Sequence, residues 1–322
     1  MVTSILPTHP LAGSKERPTQ ARSLEAWQNE SGSTEAAKII GFTLIRTIPR
    51  IAANLLISTD ASLTKTVDMN LGDNRLLATL PIDVIERLRP EMELVAMPLG
   101  KVIYESGTEL KEVYFPVRGC IVSMLYVMAD GSSAEIAVVG DEGMVGIALF
   151  MGGGTTPSRA IVQSAGRALQ LKGSALLREF ERHSELKTLL LRFTQALITQ
   201  MSQTAVCNRH HNVEKQLCRW LLLSLDRLST HELTMTQELI ANMLGVRREG
   251  VTDAAGKLQA RGWILYSRGR IKVLDRPGLE AQVCECYAVV KKEYDRLLPA
   301  KTIAATTPPR ATTTYTQIVE PT

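Results

Sequence analysis

From about Asn74 to Pro98 the apolar residues recur with helical spacing. Leu76, Leu77 and Leu80 precede Pro81, and Ile82, Ile85 and Leu88 precede Pro90. That period predicts helix. After Pro98 the pattern changes. Val102–Tyr104, Val113–Pro116, Ile121–Met128 and Ala134–Val139 are short runs rich in β-branched and aromatic residues, punctuated by glycines at 100, 107, 119, 131, 140 and 143. Closely spaced runs with turn signals between them predict a small antiparallel sandwich or barrel. Asp130-Gly131 predicts a hairpin with a type I′ turn, which needs positive φ at both central residues. From Glu179 to His210 there is neither Gly nor Pro. Leu186, Leu189, Leu190, Phe193, Leu197 and Met201 form an apolar seam that predicts one long helix. The seam suits packing on the sheet domain, and equally a two-chain coiled coil, with Leu191 and Ile198 widening the face.

The last third has a different organisation. Val213–Leu228 carries Leu217, Trp220, Leu221, Leu225 and Leu228 on one helical face. Thr236 is then placed to N-cap a short helix ending at Leu244, and Gly245 to terminate it. A second helix is predicted from Arg247 to Ala260. Short helix, glycine turn and longer helix make a helix-turn-helix. Trp263–Tyr266 and Arg270–Leu274 flank Ser267-Arg268-Gly269 and read as a wing hairpin. On the second helix Val251, Ala254, Ala255 and Leu258 share the core side. Glu249, Asp253 and Gly256 lie opposite, with Thr252 at the edge and Arg247 and Arg248 at the helix start. Arg suits guanine edges, and Glu or Asp can accept from cytosine. Thr236, Arg247, Arg248, Glu249, Thr252, Asp253, Arg268 and Arg270 are the candidate DNA contacts.

Charge sharpens this reading. The chain of 322 residues carries a formal net charge of only +4. Residues 234–276 alone hold eight cations against four acids, so positive charge is concentrated where phosphates would be met. Hydrophobic residues make up 45% and charged residues 22%, which suits two folded domains and excludes a wholly disordered chain. No charge-free apolar run is long enough to span a membrane. Five cysteines without framework spacing predict reduced thiols and a cytoplasmic location. No P-loop, dinucleotide fingerprint or nucleophile–base spacing is present, and His183 is solitary, so an enzyme is not expected. Segment 38–58, with Lys38, Arg46 and Arg50, reads as a short helix broken at Pro49; a membrane-surface segment is the alternative. No membrane partner is expected.

The stretch LGKVIYESGTELKEVYFPVRGCIVSMLY, joined to the long helix and the winged helix-turn-helix, resembles the Crp/Fnr family of bacterial transcription regulators. The resemblance covers about 74–290. It implies an α+β fold with an antiparallel, cyclic-nucleotide-binding-like β-roll, a long dimerisation helix and a C-terminal winged helix-turn-helix. The expected units are a mostly disordered extension over 1–73, the roll over 74–180, the dimerisation helix over 181–208, the DNA-binding domain over 209–290, and a helix end with a disordered tail over 291–322. It also implies a homodimer on a pseudo-palindromic operator, with RNA polymerase as a candidate partner.

In that family a Gly-Glu-Leu turn and a following Arg hold the ribose and the cyclic phosphate. Here the turn is Val145-Gly146-Ile147-Ala148-Leu149, without a carboxylate, and Ser158 stands where the Arg is expected, followed by Arg159. The candidate ligand residues are Gly146, Ser158, Arg159 and Ala160. An effector other than cyclic AMP, or none, is expected; a cyclic-nucleotide-responsive regulator and a module acting through protein partners are the alternatives. Asp141, Glu142 and Glu135 are acids that could replace the missing carboxylate. The family's base-reading pattern Arg-Glu-x-x-x-Arg is met by Arg248 and Glu249, but its last position is Asp253. Cys207, His210, His211 and Cys218 cluster in sequence, and Cys284-Glu-Cys286 is too close-set for the usual zinc motif. Buried thiols and a capping His are the expected reading, with no metal and no cofactor; a metal or haem site, with Cys207 and His211 sharing a helical face, is the alternative.

Overall fold

The computed structural model describes residues 71–182 and 185–298. The expectations for 1–70, 299–322 and His183 lie outside these residues. The chain begins in short 3-10 turns and helix α1 (Ile82–Leu88), which buries Val84, Ile85 and Leu88. Strands β1 (Met92–Met97), β2 (Val102–Tyr104), β3 (Glu112–Pro116), β4 (Ile121–Val127), β5 (Ser133–Val139), β6 (Arg159–Ser164) and β7 (Gly166–Lys172) follow. They form two sheets, ordered β1-β7-β3 and β2-β6-β4-β5, with every pairing antiparallel. Between them Val113, Phe115, Ile121, Val162, Leu169 and Leu171 are buried.

Two local expectations are corrected here. Met92–Met97 lies in the stretch expected to be helical, yet it is a strand paired along its whole length with β7. The ladder satisfies its backbone, and tertiary pairing outweighs local pattern in so short a segment. The β4–β5 turn is not type I′. Gly131 has φ +83°, but Asp130 has no positive φ. Gly131 N–H donates to Met128 O at 2.9 Å, and Met128 N–H to Ser132 O at 2.7 Å. This is a three-residue loop with glycine at the left-handed position. Asp130 Oδ1 accepts from the Ser132 amide and hydroxyl, which holds the loop in that form.

The expected continuous helix is two helices, α2 (Gly173–Glu181) and α3 (Glu185–His210). The buried carboxylate of Glu179 accepts from Arg87 Nε and Nη2 at 3.0 and 2.8 Å, tying α2 to α1. The predicted seam on α3 packs inward: Leu186, Leu190, Phe193 and Leu197 are completely buried within their own chain. Phe193 sits so close to Gly143 that a Cβ there would lie 2.2 Å from its ring.

Helix α4 (Val213–Leu225), N-capped by Asn212, is buried on nearly every side, as a helix between packed layers must be. Strand β8 (Glu232–Thr234), helices α5 (Gln237–Leu244) and α6 (Arg248–Ala260), and strands β9 (Ile264–Ser267) and β10 (Arg270–Val273) form the last domain. Its sheet order is β8-β10-β9, so a third strand joins the two expected in the wing. Helices α7 (Arg276–Gln282) and α8 (Glu285–Leu297) end the described chain, and α8 returns to pack along α3.

Candidate nucleic-acid interface and effector cavity

Thr236 caps α5, its side-chain oxygen accepting the Leu239 N–H at 3.3 Å. Gly245 ends α5 at φ +66°, a left-handed conformation that favours glycine. The chain re-enters helix at Arg248. Val251, Ala254, Ala255 and Leu258 are buried. Arg247, Arg248, Glu249, Thr252, Asp253 and Gly256 are exposed. The polar face of α6 is therefore held outward by an apolar face that cannot turn away from the core. Thr252 Oγ1 donates to Gln237 Oε1 at 2.8 Å, fixing α6 against the first turn of α5.

The wing carries the type I′ turn. Ser267 pairs with Arg270, leaving Arg268 and Gly269 as the two loop residues, at φ +50° and +73°. Positive φ at both is what the right-handed strand twist selects. Thr236 Cγ2 would be 3.7 Å from a Cβ on Gly269, so the cap of α5 and the wing tip are neighbours. Tyr266 completes the link, its hydroxyl donating to Met235 O at 2.9 Å.

The eight cations divide. Lys257 pairs with Asp253 at 2.7 Å, Arg261 with Glu214, and Arg276 with Asp226. Arg270 approaches Glu232 only at 4.0 Å. Among the described residues Arg247, Arg248, Arg268 and Lys272 make no ion pair, and all four are exposed. Of the eight, these four are the least compensated by acids among the described residues. Asp253 is held by Lys257, which reduces its repulsion of a phosphate.

In the roll, Gly146, Ser158, Tyr104, Met124, Thr156 and Met201 are among the residues lining a cavity of about 60 Å³. Ligand pockets commonly measure ~300–1,000 Å³. Ser158 Oγ lies 2.9 Å from Thr156 Oγ1. Arg159 turns elsewhere, its Nη2 donating to Glu105 at 2.9 Å, and Ala160 is buried in the β2–β6–β4 ladder outside the cavity lining. Met201 comes from α3, so the cavity touches the long helix.

None of the three acids considered as substitutes for the missing carboxylate lines the cavity, and two of them are paired elsewhere. Asp141 pairs with Arg75 at 3.2 Å, and Glu142 with Arg227 at 2.7 Å. Glu135, on β5, is buried, and its Oε2 has no hydrogen-bond partner among the described residues. Burial pushes its carboxyl up to about 7, against the opposing influence of Ser123, Arg219, Arg227 and Trp220. Arg227 Nη2 also donates to Gln200 Oε1 at 3.3 Å, and Gln200 Nε2 to Val138 O at 3.0 Å. Roll, long helix and the segment after α4 thus share one buried polar network. Local sequence pattern gave no signal for it, because its members lie 27 to 85 residues apart.

A β-roll joined through a long helix to an outward-facing basic helix and wing defines a winged helix-turn-helix DNA-binding protein with a sensor-type domain. Two family models match: the cyclic nucleotide-binding domain over residues 94–183 and the Crp-like helix-turn-helix domain over 215–282. The chain is 24% identical over 198 residues to a CRP-like cAMP-activated global transcriptional regulator of Mycobacterium tuberculosis, covering 59% of this chain and 88% of the relative. A Crp/Fnr-family regulator structure from Eubacterium rectale is similar with TM-score 0.52 at 16% identity, over 63% of this chain and 94% of that one. FixK2 from Bradyrhizobium japonicum gives 0.50 at 18%, over 60% and 98%. This chain belongs to the Crp/Fnr family of transcription regulators.

Proposed function

We propose that the chain is a homodimeric, sequence-specific regulator whose α6 reads base edges in the major groove and whose wing contacts phosphate. The observation that carries this is the outward face of α6, where Arg247, Arg248 and Glu249 are exposed at the helix start above a fully buried opposite face. An α6 N-terminus entering the groove brings these side chains to the bases. Thr252, Asp253, Thr236, Arg268 and Arg270 flank them.

Dimerisation is supported by a second stripe on α3. Thr188, Leu191, Gln195, Ile198, Ser202 and Ala205 alternate at spacings of three and four and are all exposed. That is the spacing of a two-helix seam. Leu191 and Ile198, 50% and 46% exposed, place apolar surface in the middle of that stripe, where a second helix could cover it. Two recognition helices then meet half-sites about one helical turn, ~34 Å, apart.

The effector is not cyclic AMP in this reading. The cavity holding Gly146 and Ser158 has neither a carboxylate nor an arginine in its lining, and it is small. A ribose and a phosphate would lose water there without gaining charged partners. The M. tuberculosis relative is named as cAMP-activated, which keeps a cyclic-nucleotide response as the second reading.

Selection of bound sequences from a random duplex pool, with and without cyclic AMP, tests the proposal. An enriched palindrome in both arms supports it. Enrichment only with cyclic AMP favours the second reading. No enrichment in either arm counts against sequence-specific binding by the unliganded chain.

A further inference from the structure

Three cysteines and one histidine, from two distant segments, converge where α3 ends and α8 begins. Cys207 and His211 stand one helical turn apart at the end of α3. Cys284 immediately precedes α8, and Cys286 lies in its first turn. One ligand atom from each of the four lies within 4.8 Å of all the others. Cys207 Sγ is 3.6 Å from Cys284 Sγ, and Cys286 Sγ is 3.7 Å from His211 Nδ1. A tetrahedral zinc ion with Zn–S near ~2.3 Å and Zn–N near ~2.0 Å has ligand edges of about 3.5–3.8 Å. A disulfide needs ~2.05 Å between sulfurs, far shorter than the observed contact.

Simple thiol packing accounts for this group poorly. Cys120 and Cys218 lie in the main apolar core, as ordinary buried cysteines do. Cys207, Cys284 and Cys286 instead form their own buried cluster, with only Val283 packed against it among the partly buried hydrophobic residues. A histidine ring, its side chain 15% exposed, turns into that cluster.

The surroundings fit a metal. With Nδ1 toward the thiols, His211 Nε2 faces Glu285 Oε2 at 3.5 Å. A carboxylate on the far nitrogen is the usual support of a metal-bound histidine. Arg219 is buried nearby, its Nη1 donating at 3.0 Å to Thr204, which lies one turn before Cys207. Its Nε has no partner among the described residues. Zinc with three thiolates and a neutral imidazole carries one net negative charge, which a buried guanidinium offsets.

We propose that Cys207, His211, Cys284 and Cys286 bind one zinc ion that clamps α8 to the end of α3. This goes beyond the DNA-binding reading and does not depend on it. By sequence Cys207 and His211 form one pair a helical turn apart and Cys284-Glu-Cys286 a separate, close-set pair, neither enough for a metal site; the fold brings the two pairs together. Binding releases the three thiol protons to solvent as the thiolates engage the metal. The clamp spans the junction between the long helix and the DNA-binding domain, so it would hold that domain's C-terminal helix in place.

The test is metal analysis of the full chain purified without chelator. About one zinc per chain is expected. Replacing zinc with Co²⁺ should give the thiolate charge-transfer and d–d bands of a tetrahedral site. C284S/C286S should reduce zinc to a trace, while H210A, an exposed residue outside the cluster, should retain it. If the double variant does not fold, the wild type serves alone. Chelation should expose the clustered thiols to titration and lower the melting temperature, and zinc should restore both. A native chain that holds no zinc, a Cys207–Cys284 disulfide, or iron with visible cluster absorption would each overturn the assignment.

Discussion

Glu142 Oε1 accepts from Arg227 Nε at 2.7 Å, and both side chains are almost completely buried. The pair joins the β-roll to the segment that follows α4, so it lies between sensor and DNA-binding domain. Arg75 adds a longer contact to Glu142 at 3.7 Å. Removing one partner leaves an uncompensated buried charge. Glu142→Gln should therefore cost about 3–5 kcal/mol, and Arg227→Met a similar amount. The double variant Glu142→Gln/Arg227→Met should be less destabilised than the sum of the two. Urea unfolding of all four proteins checks this; additive losses would show that the two residues act independently.

Leu186 and Leu191 lie on one helix but should respond differently. Leu186 is buried in its own chain, whereas Leu191 is half exposed. Leu186→Ala should cost about 2–5 kcal/mol of stability. Leu191→Glu with Ile198→Glu should leave the protomer folded and yield monomers in light scattering. A dimer that survives both charges would place the interface elsewhere.

Glu135 gives a pH dependence whose sign follows from its environment. Burial raises its folded pKa from 4.5 to about 7. Between those values the folded chain holds a proton that the unfolded chain has released. The stabilisation is complete below about pH 4.5 and is lost as pH rises through 7. Its size is roughly 1–3 kcal/mol. Unfolding midpoints measured from pH about 5 to about 8 should fall for the wild type, and Glu135→Gln should flatten that part of the profile. An unchanged slope in the variant would assign the dependence to another group.

Arg248 and Arg268 should divide specificity from affinity. Arg248→Ala should weaken specific binding by ~1–3 kcal/mol and relax the preference at one position. Arg268→Gly should weaken all sequences alike and reduce the salt slope by about one. Because Arg268 is the only non-glycine residue at positive φ among those described, glycine should also relieve the turn. Equal losses on specific and random duplexes for both variants would remove the base-reading role of Arg248.

The sequence by itself determined what depends on near neighbours. Thr236, Gly245 and the apolar positions 251, 254, 255 and 258 specify the helix-turn-helix, since capping, chain reversal and helical phase act over a few residues. The β-branched runs between glycines specify four strands of the roll in the same way. Tertiary structure decided the rest. The apolar seam of Leu186, Leu190, Phe193 and Leu197 could pack on its own sheet or on a second chain, and periodicity is the same for both. The roll took it, and a separate stripe through Leu191 and Ile198 was left outside. Met92–Met97 became a strand because β7 offered a ladder from 69 to 79 residues away, running from Met97–Gly166 to Met92–Leu171. Cys207 and Cys284 are 77 residues apart, and no local spacing announces their contact. It exists because α8 folds back along α3, and that return is set by packing across the whole chain.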